Sequence, residues 1–377
     1  MRIERKDVKV GGGKLRMAGE IEVPESLERG FEQLHRRAQI GLLRQLAGVA
    51  LAAYDLPPSR LALLSNFSNT TFRVDSATGQ RYVLRIHRTG TPTVETVGAE
   101  LAWLAALRRD TLLEVPAPVP TRAGPLLTLA STPGVPWPHI CVLFRWMPGQ
   151  RLRHGLTPRY MERVGELMAH LHNHAAQWEL PQGFTRGRVD WPIASARWLP
   201  DPFAPEVITS IRTLVADTLS AGEAEQVLAV LARVRASEET LGMSQEGRQA
   251  TFGLIHADLH YRNLLFARGI VRAIDFDDCG FGPLLYDPAV MLSELLDWPD
   301  YPALRAGLLA GYRRVRPLPA EHEAHLDAFI ALRRVQDALW MLESREQPVL
   351  SDDWAADARQ SLAPLTTLLA VRLPAGV

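Results

Sequence analysis

One short stretch limits what this chain can fold into more than any other. Leu254–Phe266 reads LIHADLHYRNLLF, polar in its middle and apolar at both ends, and the run Ala273-Ile274 then stops at Asp275, twelve residues past Asn263. An apolar run ending in an aspartate sets a carboxylate at a strand end, beside whatever the preceding loop presents. Asp258, Asn263 and Asp275 are oxygen donors, suited to Mg²⁺ shared with substrate phosphates rather than to zinc or copper. One aspartate of this kind is as readily a helix cap or a turn residue. Three donors in this order are much harder to explain that way.

Around that stretch the hydrophobic period changes twice. Residues 31–54 carry apolar side chains at helical spacing and stop before Asp55-Leu56-Pro57-Pro58. Leu61–Leu64, Thr71–Val74 and Arg81–His87 are short strand-like runs, a helix is predicted over Thr93–Arg109, and Leu126–Ala130 and Ile140–Phe144 read as two more strands. From Pro158 the pattern is mainly helical, except around residues 254–276. This is an α+β order. The sequence predicts a loose tail at 1–30, an N-terminal helix and sheet lobe at 31–146, a helical lobe at 147–365 and a C-terminal tail at 366–377. Met17 is a candidate start, because the segment before it is unlike the rest.

Composition narrows the function. Lys and Arg number 42 against 42 Asp and Glu, so no excess of positive charge marks a nucleic-acid or acidic-membrane partner. No stretch is long and apolar enough for a membrane span, and the N-terminus has no secretory apolar core. Two cysteines, Cys141 and Cys279, make no disulfide framework and read as reduced buried thiols, which points to the cytoplasm. The oligomeric state is left open. The only lysines are Lys6, Lys9 and Lys14. Any site beyond them that needs a fixed positive charge must use arginine or a protonated histidine.

The five-residue step from Asp258 to Asn263, with an Asp-Phe pair downstream, matches the spacing of a kinase catalytic loop. HADLHYRNLLF followed by AIDFDD resembles the aminoglycoside phosphotransferase-type kinases, small-molecule relatives of protein kinases that also resemble choline kinases, homoserine kinases and a bacterial stress-response kinase. The resemblance covers roughly residues 35–350. It implies a two-lobed protein-kinase-like fold, with a small antiparallel-sheet N-lobe, a larger mainly helical C-lobe and Mg-ATP between them. It further implies that Asp258 is the catalytic base, that Asn263 and Asp275 hold Mg²⁺, that His256 braces the loop and that Asp287 supports it. The acceptor would be a hydroxyl of a small molecule: an amino alcohol, an aminoglycoside-like or a homoserine-like compound.

Kinases grip the α- and β-phosphates with a lysine on the third strand, paired with a glutamate on the next helix. Here the matching strand residue is Arg85, with Glu100 as its candidate partner and Glu95 as the alternative. Alternation puts Arg85 on the face of Val83 and His87, opposite Leu84 and Ile86. Arginine offers a planar fork that can bind phosphate, where lysine offers a point charge. The phosphate loop, Ser65-Asn66-Phe67-Ser68-Asn69-Thr70, has no glycine; Ser68 and Asn69 resemble the Ser-Asn pair of small-molecule kinases. Val142–Gly149 resembles the family's hinge, where adenine would meet backbone near Phe144, Trp146 and Met147.

Other features weigh against rival readings. His170 and His174 stand at i, i+4 but lack a metalloprotease glutamate, and they read as packing below the catalytic loop. The stretch from Asp275 to Asp287 is too short for an activation segment, which disfavours a protein Ser/Thr substrate. A nucleotide-binding pseudokinase is the other rival, motivated by Arg85 and the glycine-free loop. Glu294, Asp297, Asp300, Asp337 and Glu343 are either a solvated helix face or an attraction for an amine-bearing acceptor.

Overall fold

The computed structural model describes residues 30–370, except 32, 89–91, 153–154, 244–249 and 346–352. Met17 and nearly all of the predicted N-terminal tail lie outside the described residues. Helix α1 (Arg36–Leu51) starts later than its pattern predicts, because the His35 ring caps it by accepting the Arg37 N–H. Five strands form one antiparallel sheet: β1 (Pro58–Asn66), β2 (Thr70–Ser76), β3 (Arg81–Ile86), β4 (Thr128–Ala130) and β5 (His139–Arg145), in the order β1-β2-β3-β5-β4. Helix α2 (Val94–Asp110) lies between β3 and β4 in sequence, and Thr93 and Thr96 close a reciprocal capping box at its start.

The sheet is sandwiched, and the period-2 pattern of β5 shows how. Cys141 and Leu143 face α1, packing with Leu46, Leu51, Phe72, Val74, Leu84 and Ile86. Ile140, Val142 and Phe144 face α2, where they join Leu101, Trp103 and Leu104 in a cluster that continues through the helical half. The inner face of α2 therefore belongs to the C-lobe core, although the helix sits in the N-lobe by sequence. β1 is longer than the predicted Leu61–Leu64. Bulges near residues 58–60 and 63–65 let it run on, so Ser65 and Asn66 pair with Thr71 and Thr70 instead of belonging to the loop.

The second half contains α3 (Pro158–Gln177), α4 (Pro205–Ala216), α5 (Ala221–Thr240), α6 (Tyr286–Ser293), α7 (Tyr301–Val315), α8 (Ala320–Glu323), α9 (Leu326–Glu343), α10 (Trp354–Leu362) and α11 (Leu365–Ala370). Helices α3 and α7 touch backbone to backbone: a Cβ at Gly165, Gly307 or Gly311 would collide with the main chain of the other helix. Two antiparallel ribbons interrupt the helices, β6 (Phe252–Ile255) with β9 (Gly280–Pro283), and β7 (Leu264–Ala267) with β8 (Ile270–Ala273). β9 falls just past the region where the sequence predicts a break in helical pattern. Leu365 and Leu368 are buried on α11, so part of the predicted C-terminal tail is packed helix.

Candidate active site

The two ribbons explain why the polar motifs meet. Residues 256–263 link β6 to β7, and residues 274–279 link β8 to β9, which returns to pair with β6. The Ile274 N–H donates to the Asn263 carbonyl at 2.9 Å, fastening one loop to the other. Asp287, fully buried at the start of α6, holds the first loop: its carboxylate accepts the main-chain N–H of His256 at 3.1 Å and of Ala257 at 2.7 Å. His172 on α3 reaches the same carboxylate at 3.0 Å and meets the Tyr312 hydroxyl at 2.9 Å. Ala257 is thereby kept at φ 69°, a conformation alanine adopts only under constraint.

His256 ties the loop from its other side. The Asp258 N–H donates to His256 Nδ1 at 3.3 Å, and Nε2–H donates to the Ile274 carbonyl at 3.1 Å. Burial lowers the His256 pKa, keeping the ring neutral, as one donor and one acceptor require. Phe276 packs on that ring at 4.4 Å and meets Trp103 of α2 edge-on at 5.5 Å. The catalytic-loop candidate is thus braced against the helix that carries Glu100.

Asp258 has partners on both oxygens. Oδ2 accepts from Asn263 Nδ2 at 2.9 Å and lies 3.3 Å from His260 Nε2; Oδ1 accepts from Arg333 Nη2 at 3.0 Å. Burial alone would push this carboxyl up, but His260 and Arg333 outweigh it and hold it down at about 2. Arg333 comes from α9, and its Nε is 3.1 Å from Asp337. Nothing in the local sequence points to Arg333; position alone reveals it.

On the N-lobe side, Arg85 Nη2 meets Glu100 Oε2 at 2.5 Å and Nη1 lies 3.5 Å from Asp275 Oδ1, with the guanidinium 5.0 Å from the Phe144 ring centroid. Burial pushes the Glu100 carboxyl up and Arg85 pulls it back. Glu100, not Glu95, is the partner. Arg85 Nε and Glu100 Oε1 remain buried without a partner. Leu84 and Ile86 point into the opposite cluster, as alternation predicts.

The phosphate-loop candidates divide. Ser68 is exposed, whereas Asn69 Nδ2 donates to Asp277 Oδ2 at 2.5 Å. Phe67, at the tip of the same turn, lies 5.6 Å from Trp340 of α9. At the hinge, the Arg145 N–H is taken by the Ala117 carbonyl and the Trp146 N–H by the Arg81 carbonyl, while the Phe144 side chain is buried. Met147 is half-buried, and its N–H has no main-chain partner among the described residues. His170 is exposed, and His174 binds Asp110 and Trp103, so the two do not converge.

The donor set fits a divalent cation. Asp275 stands at φ 69°, its side chain about half exposed (48%). Crowding by protein and then the Asp277 charge push its carboxyl well up, while Arg85 opposes them. A cation beside these carboxylates would relieve that repulsion. Asn263 engages Asp258 through Nδ2, so its amide oxygen is not used in that contact. Among the described residues no three His, Cys, Asp or Glu side chains form a metal cage. Two protein ligands completed by phosphates and water is the Mg²⁺ pattern.

Comparison with known proteins bears on the family and the fold. The model of the phosphotransferase enzyme family (APH) matches residues 60–325. An uncharacterized protein of Deinococcus radiodurans is 30% identical over 320 residues, 83% of this chain and 84% of its own. A homoserine kinase of Brucella anthropi is 31% identical over 237 residues, 61% of this chain and 62% of that enzyme. Among solved structures, a microcompartment-associated aminopropanol kinase superposes with a TM-score of 0.71 at 29% identity, covering 89% of this chain and 99% of that one. An amicoumacin kinase in complex with AMP-PNP and Ca²⁺ shares the fold, with a TM-score of 0.67 at 18% identity, 89% of this chain and 96% of that one. No helix among the described residues is long and apolar enough to cross a membrane.

Proposed function

Because this chain belongs to the phosphotransferase enzyme family, a family of small-molecule kinases acting on hydroxyl groups, we propose that it moves the γ-phosphate of Mg-ATP to the hydroxyl of a small amine-bearing alcohol. The observation that carries the reading is a linked set of contacts: Asn263 donates to Asp258, the loop of Asp275 is fastened to the Asn263 carbonyl, and Asp275 lies 3.5 Å from Arg85 of the buried Arg85–Glu100 pair. ATP and a divalent metal belong to this reaction class, and the kinase neighbour with AMP-PNP and Ca²⁺ supports both; Mg²⁺ is our assignment from the donor set.

Each residue then has a task. Asp258 orients the acceptor hydroxyl and takes its proton as the bond to phosphorus forms. A carboxylate held at about 2 is a weak base, so alignment is its larger contribution, consistent with a loose transition state. Asn263 and Asp275 would hold Mg²⁺, which neutralises charge on the phosphate oxygens. Arg85, whose buried Nε has no protein partner, binds the α- and β-phosphates, and Glu100 fixes its direction. Ser68 and Asn69 close over the phosphates, Asn69 leaving Asp277 to do so. Adenine is met at Phe144–Met147, through the free Met147 N–H.

An amine on the acceptor is favoured by the acidic cleft wall, where Asp337 stands close enough to Glu294 and Asp258 for their charges to raise its pKa after burial. The kinases for homoserine and aminopropanol act on compounds of this kind. Glu294 is paired with Arg262, Glu343 accepts the Ala194 N–H, and Asp337 has Arg333 at its Oδ1; the candidate contact for the ammonium is the other oxygen of Asp337. The two buried thiols support a cytoplasmic setting. The test is a panel of L-homoserine, 1-amino-2-propanol, ethanolamine, choline and an aminoglycoside with γ-labelled ATP. Label should enter an amino alcohol and Asp258→Ala should abolish transfer. Equal, slow loss of γ-phosphate by wild type and Asp258→Ala with every acceptor would remove the proposal.

A further inference from the structure

We propose that Arg333 is a positioning residue of the phosphotransfer step, holding the Asp258 carboxylate from the acceptor side of the cleft. The inference rests on the assignment of Asp258 above, and adds a group that no catalytic-loop motif contains. Arg333 Nη2 binds Asp258 Oδ1 at 3.0 Å, while Oδ2 is held by Asn263 and His260 from within the loop itself. Clamps on both oxygens, from elements 75 residues apart, fix the carboxylate plane. With the loop clamp alone, the carboxylate could swing about its side-chain torsions and leave the acceptor misaligned.

Arg333 is itself held in place. Asp337, one turn further along α9, lies 3.1 Å from its Nε. Its neighbour Gln336 takes the Tyr286 hydroxyl at 2.5 Å and donates to the Val189 carbonyl at 3.0 Å, which locks this part of α9 against α6. Arg333, Asp337 and Trp340 share one helical face, at i, i+4 and i+7. Arg333 keeps 20% of its side chain exposed, so it is not sealed in the core.

The arrangement passes order along a chain. Arg333 holds Asp258, and Asp258 accepts from Asn263 Nδ2, so the rotation of the Asn263 amide is tied to the same clamp. A second effect is electrostatic. The cleft gathers Asp258, Asp275, Asp277 and Asp337, and a polyanionic nucleotide has to approach them. A guanidinium on Asp258 offsets part of that repulsion at the acceptor end, as Arg85 does at the nucleotide end.

The test compares wild type, Arg333→Ala, Arg333→Lys, Asp258→Ala and the Arg333→Ala/Asp258→Ala double variant. ADP release from Mg-ATP is measured with L-homoserine and with 1-amino-2-propanol, and with water where neither is phosphorylated. Arg333→Ala should lower kcat about 100-fold, the scale of a misplaced reacting group, with only a much smaller rise in KM for ATP from the lost positive charge. Arg333→Lys should keep part of the activity, and added guanidinium should restore part of it to Arg333→Ala. In the Asp258→Ala background, loss of Arg333 should cost nothing more. Wild-type kcat in Arg333→Ala would overturn the proposal. So would a loss that guanidinium does not restore and that is matched by a fall in Tm, which marks a structural role. Wild-type turnover in Asp258→Ala would instead overturn the assignment of the base.

Discussion

Two arginine–carboxylate pairs, Arg85–Glu100 and Arg333–Asp258, belong to the candidate site, and they are built differently. Arg85 and Glu100 are closed off, their side chains 5% and 1% exposed, whereas Arg333 and Asp258 are 20% and 19% exposed. Arg85 comes from a strand in a sandwiched sheet, and its partner from a helix whose inner face is continuous with the C-lobe core. Arg333 comes from the acceptor side and binds a loop held by Asp287 and His256. A sealed pair is a fixed part: removing one member strands a buried charge. A half-open pair can rearrange as ligands arrive. With no lysine beyond Lys14, the chain thus uses arginine for two jobs that differ in solvent access.

The comparison is broken most directly by cutting the sealed pair. Glu100→Ala should destabilise the protein by about 3–5 kcal/mol, the usual result of leaving a buried partner unpaired, seen as a lower midpoint in urea. Arg85→Ala should lose turnover by about 100-fold or more as well as stability. Arg85→Lys should recover part of the turnover, because a point charge reaches phosphate but cannot fork between Glu100 and Asp275. Wild-type turnover in Arg85→Ala would mean that the sealed pair is scaffold alone. Stability and ATP affinity in the same variants separate the two roles.

The two pairs also differ in how far the sequence announces them. Arg85 and Glu100 were legible because strand alternation fixes the face of Arg85 and one helix follows. Asp258, Asn263 and Asp275 were legible because the loops that carry them are consecutive along the chain. Arg333 was not: α9 is buried over most of its circumference, so its apolar pattern has no clear polar stripe to single out one arginine. Asn69 was singled out with Ser68 as a phosphate-loop candidate, but its tie to Asp277 joins residues 208 apart in sequence. β9, Gly280-Phe281-Gly282-Pro283, carries almost no strand signature and exists because β6 pairs with it. The length of β1 was hidden by its bulges, and α11 by its position in an expected tail. The family resemblance gave the two-lobed fold; the contacts that aim the side chains are long-range.

A second test probes the electrostatics of the sealed pair. His87, 3% exposed and beside Arg85, is pushed from 6.5 down to about 3, by burial first and then by the arginine charge. Its folded pKa lies below its unfolded one, so between about 3 and 6.5 the unfolded chain binds the extra proton. Stability therefore rises with pH through that window and falls on acidification. From pH 7 to pH 5 the wild type should lose about 1–2 kcal/mol more than His87→Gln, measured by urea unfolding at each pH. Identical acid slopes would show that the Arg85 neighbourhood is more open than its burial indicates.

The smallest effect lies where the two sides of the cleft meet. Phe67, at the tip of the turn between β1 and β2, packs on Trp340 at 5.6 Å with the rings tilted by 43°. Trp340 shares the α9 face of Arg333 and Asp337, while Asn69 of the same turn holds Asp277. One three-residue turn thus touches both α9 and the loop that carries Asp275 and Asp277. An aromatic pair of this kind contributes about 0.5–1.5 kcal/mol. Phe67→Ala should accordingly raise KM for ATP and for the acceptor about 3- to 10-fold, leaving kcat nearly unchanged. Trp340→Ala should do the same, and the double variant should be no worse than either single one, because the same contact is lost in each. Fully additive effects would mean that the rings act on the two sites separately. The sealed and half-open pairs would then be independent halves of the cleft, with no shared clasp between them.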